Sequence, residues 1–302
     1  MKKLRVAILG VGSIGEFHAR EFKNAGCEVV AILTSSMQSA HEKSKKLKNS
    51  YDIAAKPYWD IEELLSKEKI DAVSICTPPQ FHSEQVRKCL EYNLNVLCEK
   101  PFIQDSDCDN YQIARKIFDL AKEKWKVLSV NTQLVSILDY VPKKYLSGNL
   151  NEFSMYMEPN KEGVINLITE VVPHMNSLLM HLAGDKIIKN IKFPVAEKNS
   201  VKIQFNYGDC KVEYNIGVKK ERPRKLKFSI NEKEFEREIG DNYKQKLVYD
   251  KYSIDIEDPL SISIRKFAKH IKSNNKLPVN NLEILNNVKL QDLIIKRYLL
   301  TI

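Results

Sequence analysis

The sequence is poor in the features that mark fibrous, repetitive or disordered chains. Glycine and proline number only 10 and 11 among 302 residues, and no repeat or low-complexity linker appears. Hydrophobic residues make up 43% and charged residues 29%, which is the ordinary composition of a globular protein. The length therefore allows substantial cores and favours two domains.

A secretion signal and an apolar run of membrane-spanning length are both missing. The first residues lead directly into a short apolar strand that begins at Leu4, and no signal-peptide core follows. The sequence therefore predicts a cytoplasmic protein with no membrane partner.

The cysteines lack the spacing of a metal site or of a disulfide framework. There are six of them without a C-x-x-C pair, and in a reducing compartment they are expected to be small apolar fillers. They are Cys27, Cys76, Cys89, Cys98, Cys108 and Cys210.

Arginine and clustered basic charge are scarce, although the formal net charge is +9. Scattered lysines supply most of this charge, with short runs at 43–48 and 219–225 and no interleaved aromatic residues. Because nucleic-acid binders concentrate their positive charge, this pattern predicts a solvated surface and no nucleic-acid partner.

What the sequence does contain is a regular alternation of strands and helices in its first half. Strands are predicted at 4–9, 27–33, 72–76, 95–98 and 127–130, and helices at 13–25, 38–48, 61–65, 80–93 and 107–124. This order predicts parallel β-α-β units with right-handed crossovers, and hence a doubly wound α/β sheet over residues 1–125. Ligands of such sheets bind beyond the carboxyl ends of the strands.

A G-x-G-x-x-G motif follows the first strand and opens the next helix, which is the context that a dinucleotide-binding loop requires. Gly10 would permit the tight turn, Gly12 the close approach of a pyrophosphate, and Gly15 the packing of helix on strand. The amide groups at Ser13 and Ile14 would face the diphosphate from the start of the helix. The motif therefore predicts NAD or NADP.

The second strand ends in Thr34-Ser35-Ser36, without the acidic residue that grips the ribose hydroxyls of NAD. Hydroxyl side chains remove the repulsion against a 2′-phosphate, so this strand end favours NADP. No arginine stands beside it, although Lys43 or Lys45 could reach that phosphate.

Two further strand ends resemble one family of oxidoreductases. Residues 76–82 read C-T-P-P-Q-F-H and residues 98–102 read C-E-K-P-F. A strand ending in C-T-P-P-x-x-H, followed by one ending in E-K-P, is similar to the Gfo/Idh/MocA family. Segments 258–271 and 276–294 also resemble the closing helices of that family.

The resemblance implies a Rossmann domain followed, over residues 126–302, by an α+β domain on a large, mostly antiparallel sheet. It also implies oxidation or reduction of a hydroxyl or ketone on a sugar, polyol or sugar nucleotide. Lys100 matches the lysine that lies near the nicotinamide and the reacting oxygen, and the bond to Pro101 is often cis in relatives. The cofactor-contacting set is predicted to comprise Gly10, Gly12, Ser13, Ile14, Gly15, Thr34, Ser35, Ser36, Thr77, Pro78, His82, Glu99 and Lys100.

Residues 170–174, E-V-V-P-H, match a helix start of the form D-x-G-x-H in relatives. Glu170 takes the aspartate position and His174 the histidine position, and a four-residue step places both on one helical face. His174 is therefore the predicted acid/base, with Glu170 to tune and orient it. The competing interpretations are a packed structural histidine and a metal site formed with His181. We predict no metal, because the usual chemistry of the family needs none.

Several positions depart from the family's pattern. No arginine follows the sixth strand, where Asn131 and Gln133 offer neutral groups, Ser177 replaces the usual aspartate, and the connection 151–163 is short. These departures indicate a reshaped substrate pocket.

The second half alternates polar and apolar residues as strands do. Strands are predicted at 153–157, 187–193, 201–207, 211–218 and 225–230, with Gly208-Asp209 as a hairpin turn. The free face of this sheet is expected to pair with another copy in a homodimer or homotetramer.

The sequence thus predicts an NAD(P)-dependent oxidoreductase in which Lys100 polarises or positions the substrate oxygen and His174 transfers a proton. Two alternatives stay open. One is a cofactor-binding regulator or scaffold without turnover, and the other is a reductase of an imine or a tetrapyrrole.

Overall fold

The computed structural model describes residues 3–105, 108–273 and 281–302. It divides the chain into two compact units, the first formed by Met1–Asn131 with Leu260–Asn281 and the second by Thr132–Pro259 with Leu282–Ile302. The segment that begins at Leu260 thus groups with the first unit. The predicted helix start at Asp107 and residues 276–280 of the predicted closing segment lie outside the described residues.

Strands and helices follow one another along the chain with these bounds. The strands are β1 (Arg5–Leu9), β2 (Glu28–Leu33), β3 (Lys56–Tyr58), β4 (Ala72–Ile75), β5 (Asn95–Cys98), β6 (Leu128–Val130), β7 (Glu152–Met157), β8 (Ile188–Glu197), β9 (Ser200–Tyr207), β10 (Cys210–Gly217), β11 (Leu226–Ile230), β12 (Lys233–Ile239), β13 (Gln245–Tyr249) and β14 (Tyr252–Ile256). The α-helices are α1 (Ser13–Asn24), α2 (Met37–Tyr51), α3 (Ile61–Lys67), α4 (His82–Glu91), α5 (Asn110–Glu123), α6 (Lys143–Leu146), α7 (Val164–Ala183), α8 (Pro259–Lys272) and α9 (Asn281–Leu299).

The first unit is built on six parallel strands in the order β3-β2-β1-β4-β5-β6. The apolar runs of β1 and β4 are buried on both faces, as strands covered by helices on either side must be. This confirms the predicted doubly wound sheet. The edge strand β3 was not predicted, because it has only three residues and contains Pro57, which an edge position tolerates.

The second unit is built on eight strands in the order β14-β13-β12-β11-β7-β10-β9-β8. Neighbouring strands run antiparallel, except that β7 and β10 run parallel. One face of the sheet, called the inner face below, packs on α7 in a continuous apolar cluster that includes Phe153 and Phe228. The opposite, outer face carries polar pairs such as Lys202 and Glu213, at 3.0 Å. The predicted large, mostly antiparallel sheet is confirmed.

Two local features of the second unit bear on the sequence predictions. Gly208 adopts a φ of +61° in the turn between β9 and β10, where a hairpin was predicted. Strands β12 to β14 were not predicted, because charged residues interrupt their apolar alternation. In β12 the inner face carries Phe235 and then Arg237. Within the described part of the chain, no helix combines the length and the apolar character needed to cross a bilayer.

Candidate active site

The loop after β1 has a shape that only glycine can take at two of its three motif positions. Gly10 has a φ of +84°, and a Cβ atom there would lie 2.7 Å from the backbone of both Cys76 and Thr77. A Cβ on Gly15 would collide with the carbonyl oxygen of Gly10. Gly10 therefore stands in a tight turn, as predicted, and Gly15 lets the helix approach the strand closely.

Gly12 differs from the other two glycines, because a Cβ placed there meets no atom within 4 Å. It is the N-cap of α1 and offers no side chain to the first amide groups of that helix. Those amides, including Ser13 and Ile14, have no acceptor inside the helix. An open space beside uncapped amides suits a diphosphate, whose charge the helix dipole stabilises.

The end of β2 uses its hydroxyl groups within the turn itself. Thr34 donates to the carbonyl oxygen of Ser36 at 3.0 Å, and the Oγ of Ser36 accepts from the amide of Ser39 at 3.3 Å as the N-cap of α2. Ser35 is exposed between them. The turn therefore carries neither a carboxylate nor a bulky side chain that would exclude a 2′-phosphate.

Lys43, one of the two lysines suggested to reach that phosphate, is engaged elsewhere. Its Nζ lies 2.9 Å from Glu16, and Lys46 lies 2.5 Å from the other oxygen of the same carboxylate. Burial raises the pKa of Glu16, but the two lysines outweigh burial and hold the pKa below its usual value. The exposed Lys45 remains the other candidate.

A buried histidine ties the turn after β4 to the turn after β5. His82 is fully buried, with Nε2 2.8 Å from the carbonyl oxygen of Thr77 and Nδ1 2.9 Å from that of Pro101. Burial lowers the pKa of His82, and the hydrogen bonds to the carbonyl oxygens of Thr77 and Pro101 act in the opposite direction. The Lys100–Pro101 peptide bond is cis. This geometry favours a role for His82 in holding the two turns together, with Thr77 and Pro78 at the cofactor side.

Glu99, the residue before Lys100, is the centre of a buried polar network. Its Oε1 lies 3.0 Å from Nε2 of His18 and accepts a hydrogen bond from Asn131, while its Oε2 accepts from the backbone amide of Lys100 at 3.3 Å. Nδ1 of His18 lies 2.8 Å from Ser74 Oγ, and Ser263 donates to Asn131 at 2.7 Å. The network thus joins α1, β4, β5, β6 and α8 behind Lys100.

The two titratable members of this network are charged together. For Glu99, burial raises the pKa, but the hydrogen bond and charge of His18, then Lys100 and Asn131, lower it to about 2. For His18, burial lowers the pKa, but Cys76 and Glu99 outweigh it and raise the pKa to about 10. At neutral pH a buried imidazolium therefore faces a buried carboxylate, and both ring nitrogens donate.

Sequence reasoning missed the network. His18 lies one helical turn after Gly15, at i+3, which was the available signal for a polar residue near the loop. Asn131 was considered as a group for the substrate, but it is fully buried and bound to Glu99 and Ser263. Glu99 has its carboxylate directed at these partners, a geometry that suits positioning of the Lys100 backbone.

The second unit holds the other predicted catalytic residues, on α7. The prediction that the Glu170 segment starts a helix was wrong, because α7 begins at Val164, directly after Gly163 with a φ of +93°. Apolar residues at helical spacing before Glu170 extend the helix. Glu170 and His174 therefore lie mid-helix, one turn apart on one face.

The surroundings of these two residues differ. Glu170 forms an ion pair of 3.0 Å with Lys161 and keeps 32% of its side chain exposed. His174 is 8% exposed and follows Pro173, which lies inside the helix. Lys161 stands in the short connection before α7 and was not predicted to take part.

A second buried network fixes α7 beside His174. Asn287 on α9 donates to the carbonyl oxygen of Pro173 at 2.7 Å and to Ser177 Oγ at 2.8 Å. Asn176 donates to Asn287 at 3.2 Å and accepts from Tyr214 at 3.1 Å. Ser177, which replaces the family's aspartate, is thus part of the contact between α7 and α9.

Within the first unit, the structure brings the glycine loop, the Thr77-Pro78 turn and Glu99-Lys100 to the carboxyl ends of β1, β4 and β5. Within the second unit, it places Glu170 and His174 on one face of α7. These sets supply a candidate dinucleotide cradle with a lysine beside it, and a candidate acid/base with a carboxylate one turn away.

Comparison with known proteins finds similar sequences for the first unit and similar folds for almost the whole chain. Residues 4–132 match the model of the Gfo/Idh/MocA oxidoreductase family, an NAD-binding Rossmann fold. Inositol 2-dehydrogenase of Corynebacterium glutamicum is 26% identical over 209 residues, which are 64% of this chain and 58% of that protein. The chain thus spans less than two thirds of that relative's own length.

Solved structures share the fold over almost the whole chain. UDP-N-acetylglucosamine 3-dehydrogenase from Acidithiobacillus ferrooxidans superposes with a TM-score of 0.75 at 17% identity, covering 97% of both chains. A 3-ketoreductase from Actinomadura kijaniata, solved with NADP and TDP-benzene, gives a TM-score of 0.73 at 16% identity over 98% of both chains. At these identities the likeness shows the fold alone.

Proposed function

We propose that the chain is an NAD(P)-dependent oxidoreductase of the Gfo/Idh/MocA family, whose model matches residues 4–132, and that it transfers a hydride between a nicotinamide and a carbon that bears a hydroxyl or a ketone. The substrate in this proposal is a sugar, a polyol or a sugar nucleotide. The similar proteins include an inositol 2-dehydrogenase and a UDP-N-acetylglucosamine 3-dehydrogenase, as their names state. These names are the support for the proposed substrate class.

The observation that carries the proposal is the glycine loop. Gly10 and Gly15 admit no side chain, whereas Gly12 faces open space beside the uncapped amides of α1. When bound, the nicotinamide dinucleotide supplies or accepts the hydride. The protein's part is to hold its diphosphate on the amides of Ser13, Ile14 and Gly15, with the Thr77-Pro78 turn beside the nicotinamide.

Lys100 and His174 are the proposed polar groups of the reaction. The Lys100 ammonium would stabilise negative charge on the reacting oxygen, and Glu99 would fix the backbone from which it projects. His174 would move the hydroxyl proton, because an imidazole exchanges protons near neutral pH. Glu170, with its charge shared by Lys161, would orient the imidazole.

For the cofactor, we propose NADP in preference to NAD. The support is the end of β2, where Thr34, Ser35 and Ser36 stand in place of an acid and Ser36 caps α2. A 2′-phosphate would meet hydroxyls and a helix N-terminus there. Side-by-side fluorescence titrations should show tighter binding of NADPH than of NADH, and tighter binding of NADH would reverse this assignment.

For assembly, we propose a homodimer or homotetramer that forms through the outer face of the eight-stranded sheet. The support is that this face bears polar pairs, such as Gln204 with Glu213 at 2.6 Å and Ser154 with Ser229 at 2.7 Å. A face of this kind can form a polar interface.

A cofactor-binding regulator without turnover is the second candidate. The observation that favours it is Ser177, which binds Pro173 and Asn287 where relatives carry an aspartate. A regulator would bind NAD(P)H but oxidise no member of the substrate class.

The test is a panel of polyols, sugars and sugar nucleotides, assayed at 340 nm with NADP⁺ and NAD⁺. We expect turnover with at least one member, and a decrease of about 10²-fold or more in Lys100→Met and in His174→Asn. NADPH affinity should change little in both variants, because neither side chain is placed at the diphosphate. Lys67→Met is the matched control, because it removes a lysine that, among the described residues, pairs only with Glu63 on α3. If the wild-type protein turns over no member of the panel, the regulator is favoured. Full activity in both variants would refute the roles assigned to Lys100 and His174.

A further inference from the structure

Arg237 occupies an unusual position on the inner face of the eight-stranded sheet. It lies opposite Leu226 on β11 and Leu247 on β13, which are 1% and 0% exposed, and two residues after Phe235, which is also fully buried. The residues that flank it on the inner face are therefore core residues. A guanidinium among such neighbours needs a polar partner to offset its loss of hydration.

The guanidinium lacks such a partner at its buried nitrogen. Among the described residues, no atom accepts a hydrogen bond from the buried Nε of Arg237. Burial lowers the pKa of Arg237 to about 10, while Asp258 acts to raise it and Arg222 to lower it. The side chain therefore stays charged at neutral pH.

Gln245 lies diagonally across from Arg237 on the neighbouring strand, and it has a buried acceptor without a donor among the described residues. It begins β13 two residues before Leu247, so that both point to the inner face, and it pairs with Ile239. Gln245 is 8% exposed, and within the described chain its buried Oε1 receives no hydrogen bond. Diagonal neighbours on adjacent strands are within reach of one another's long side chains. A buried donor and a buried acceptor thus lie side by side, each without a counterpart.

We propose that Arg237 and Gln245 form a subsite for an acidic group of the substrate, with a carboxylate or phosphate oxygen accepting from Arg237 and a neighbouring hydroxyl donating to Gln245. The subsite rests on the proposed function, because it belongs to the inner face of the sheet, which packs at β7, β9 and β10 against α7, the helix of Glu170 and His174. It narrows the substrate class to polyhydroxy compounds that carry an acidic group. Buried polar atoms without partners are rare in folded proteins, and a ligand is one of the reasons for which they persist.

Charge distinguishes this subsite from one that merely holds water. A buried water molecule would satisfy Nε and Oε1 but would bring no negative charge to the guanidinium. An anionic oxygen satisfies the donor and neutralises the charge, and hydrogen bonds between ionised groups are about twice as strong as neutral ones.

The test measures binding without cofactor, so that its outcome is independent of hydride transfer. The full chain is titrated calorimetrically with D-glucuronate, D-glucose 6-phosphate and D-glucose. We expect at least one acidic probe to bind about tenfold or more tightly than glucose, which corresponds to one charge-assisted contact. The better of the two acidic probes identifies a carboxylate or a phosphate as the ligand.

Three variants assign the effect to the subsite. Arg237→Met should abolish the preference for the acidic probe, and Gln245→Leu should weaken binding of that probe severalfold. Lys246→Met, which removes a positive charge from the exposed outer side of the same strand, should leave the preference unchanged.

A second readout separates a ligand subsite from a structural arginine. Replacing a half-buried charge whose Nε lacks an acceptor in the described part of the chain by an apolar side chain of similar length should raise the unfolding midpoint of Arg237→Met without ligand, by a few degrees. The proposal is overturned if the wild-type protein shows no preference for either acid over glucose, or if Arg237→Met keeps that preference. A lower midpoint in Arg237→Met would identify a structural residue and would overturn the proposal as well. If the protein binds an acidic probe but shows no turnover, the proposed oxidoreductase function is refuted and the proposed subsite is retained.

Discussion

Gly12 and Gly15 stand in the same loop, but different surroundings give them different tasks. A methyl group at Gly15 would strike the carbonyl oxygen of Gly10, whereas one at Gly12 meets only open space. We expect Gly15→Ala to destabilise the fold by about 1–3 kcal/mol, the scale of overpacking, and Gly12→Ala to leave stability nearly unchanged. Gly12→Ala should instead weaken NADPH binding, because the diphosphate must approach that backbone. Urea unfolding and NADPH fluorescence titration of both variants measure the two effects, and equal loss of stability in the two would contradict this division.

The charged pair of His18 and Glu99 gives a prediction about buried electrostatics. His18→Gln leaves the Glu99 carboxylate buried without its cation, so the free energy of unfolding should fall by about 3–5 kcal/mol. Adding Glu99→Gln removes the unpaired charge and should restore part of that loss. Urea unfolding of the single and double variants measures the coupling, and additive losses would show that the two side chains do not interact.

The same pair predicts a dependence of stability on pH. The pKa of Glu99 is lowered from 4.5 to about 2, so its contribution is complete above about pH 4.5 and is lost as the pH falls toward 2. The pKa of His18 is raised from 6.5 to about 10, so its contribution is complete below about pH 6.5 and is lost as the pH rises through 10. The difference in unfolding free energy between the wild-type protein and His18→Gln should therefore be largest near pH 5–6 and smaller near pH 9. A difference that grows toward pH 9 would contradict the charge assignment.

Residues that act through their immediate neighbours in sequence could be predicted, whereas the partners of Glu99 could not. The glycine loop and the strand ends at Thr77 and Lys100 each show their signal within a few residues. The bond from His18 to Glu99 spans 81 positions and that from Ser263 to Asn131 spans 132. A pattern along the chain cannot show contacts of that separation, because they form only when the sheet assembles.

At the scale of elements, α7 shows how a proline is accommodated in a buried helix. Pro173 has no amide hydrogen, and its ring disturbs the preceding turn. Its carbonyl oxygen accepts from Ser177 Oγ at 3.0 Å and from Asn287 at 2.7 Å. These bonds hold the helical turn that carries His174.

Asn287 is therefore expected to position His174 through α7. Asn287→Leu leaves the Pro173 carbonyl and Asn176 short of partners and should lower the unfolding free energy by about 1–3 kcal/mol. If α7 carries the acid/base, kcat should fall more than KM changes, and the acidic limb of the pH–rate profile should shift. Asn215→Ala, which removes only a bond to Glu213 on the outer face, is the control. An unchanged pH profile in Asn287→Leu would limit Asn287 to a structural role.

Strands and helices could be predicted from the sequence where a single hydrophobic periodicity, that of a strand or that of a helix, dominated the segment. β9 alternates buried and half-buried residues along its whole length and was predicted nearly to the residue. β12 carries Arg237 at an inner position, so its apolar face is interrupted and it was missed. Arg237 is thus both the reason why β12 was not predicted and the residue from which we infer a ligand site on that strand.

At the scale of the whole molecule, the chain distributes its candidate chemistry over two units. The first supplies the glycine loop and Lys100, and the second supplies Glu170 and His174. The family resemblance, carried by strand-end motifs of the first unit, predicted this division of roles. The substrate stays beyond sequence prediction, because the residues that would select it, such as Arg237 and Gln245, belong to strands without a recognisable motif.

Transfer of a deuterium label tests the proposed chemistry most directly. The protein is incubated with NADPH deuterated at C4 of the nicotinamide, in each of its two configurations, and with the ketone form of its best substrate. Mass spectrometry of the product then reports the origin of the new carbon-bound hydrogen. Hydride transfer predicts one deuterium in the product from one of the two cofactors, and about a 10²-fold slower appearance of that label with Lys100→Met. A product that gains its hydrogen from solvent, with both deuterated cofactors left intact, would contradict the proposed function.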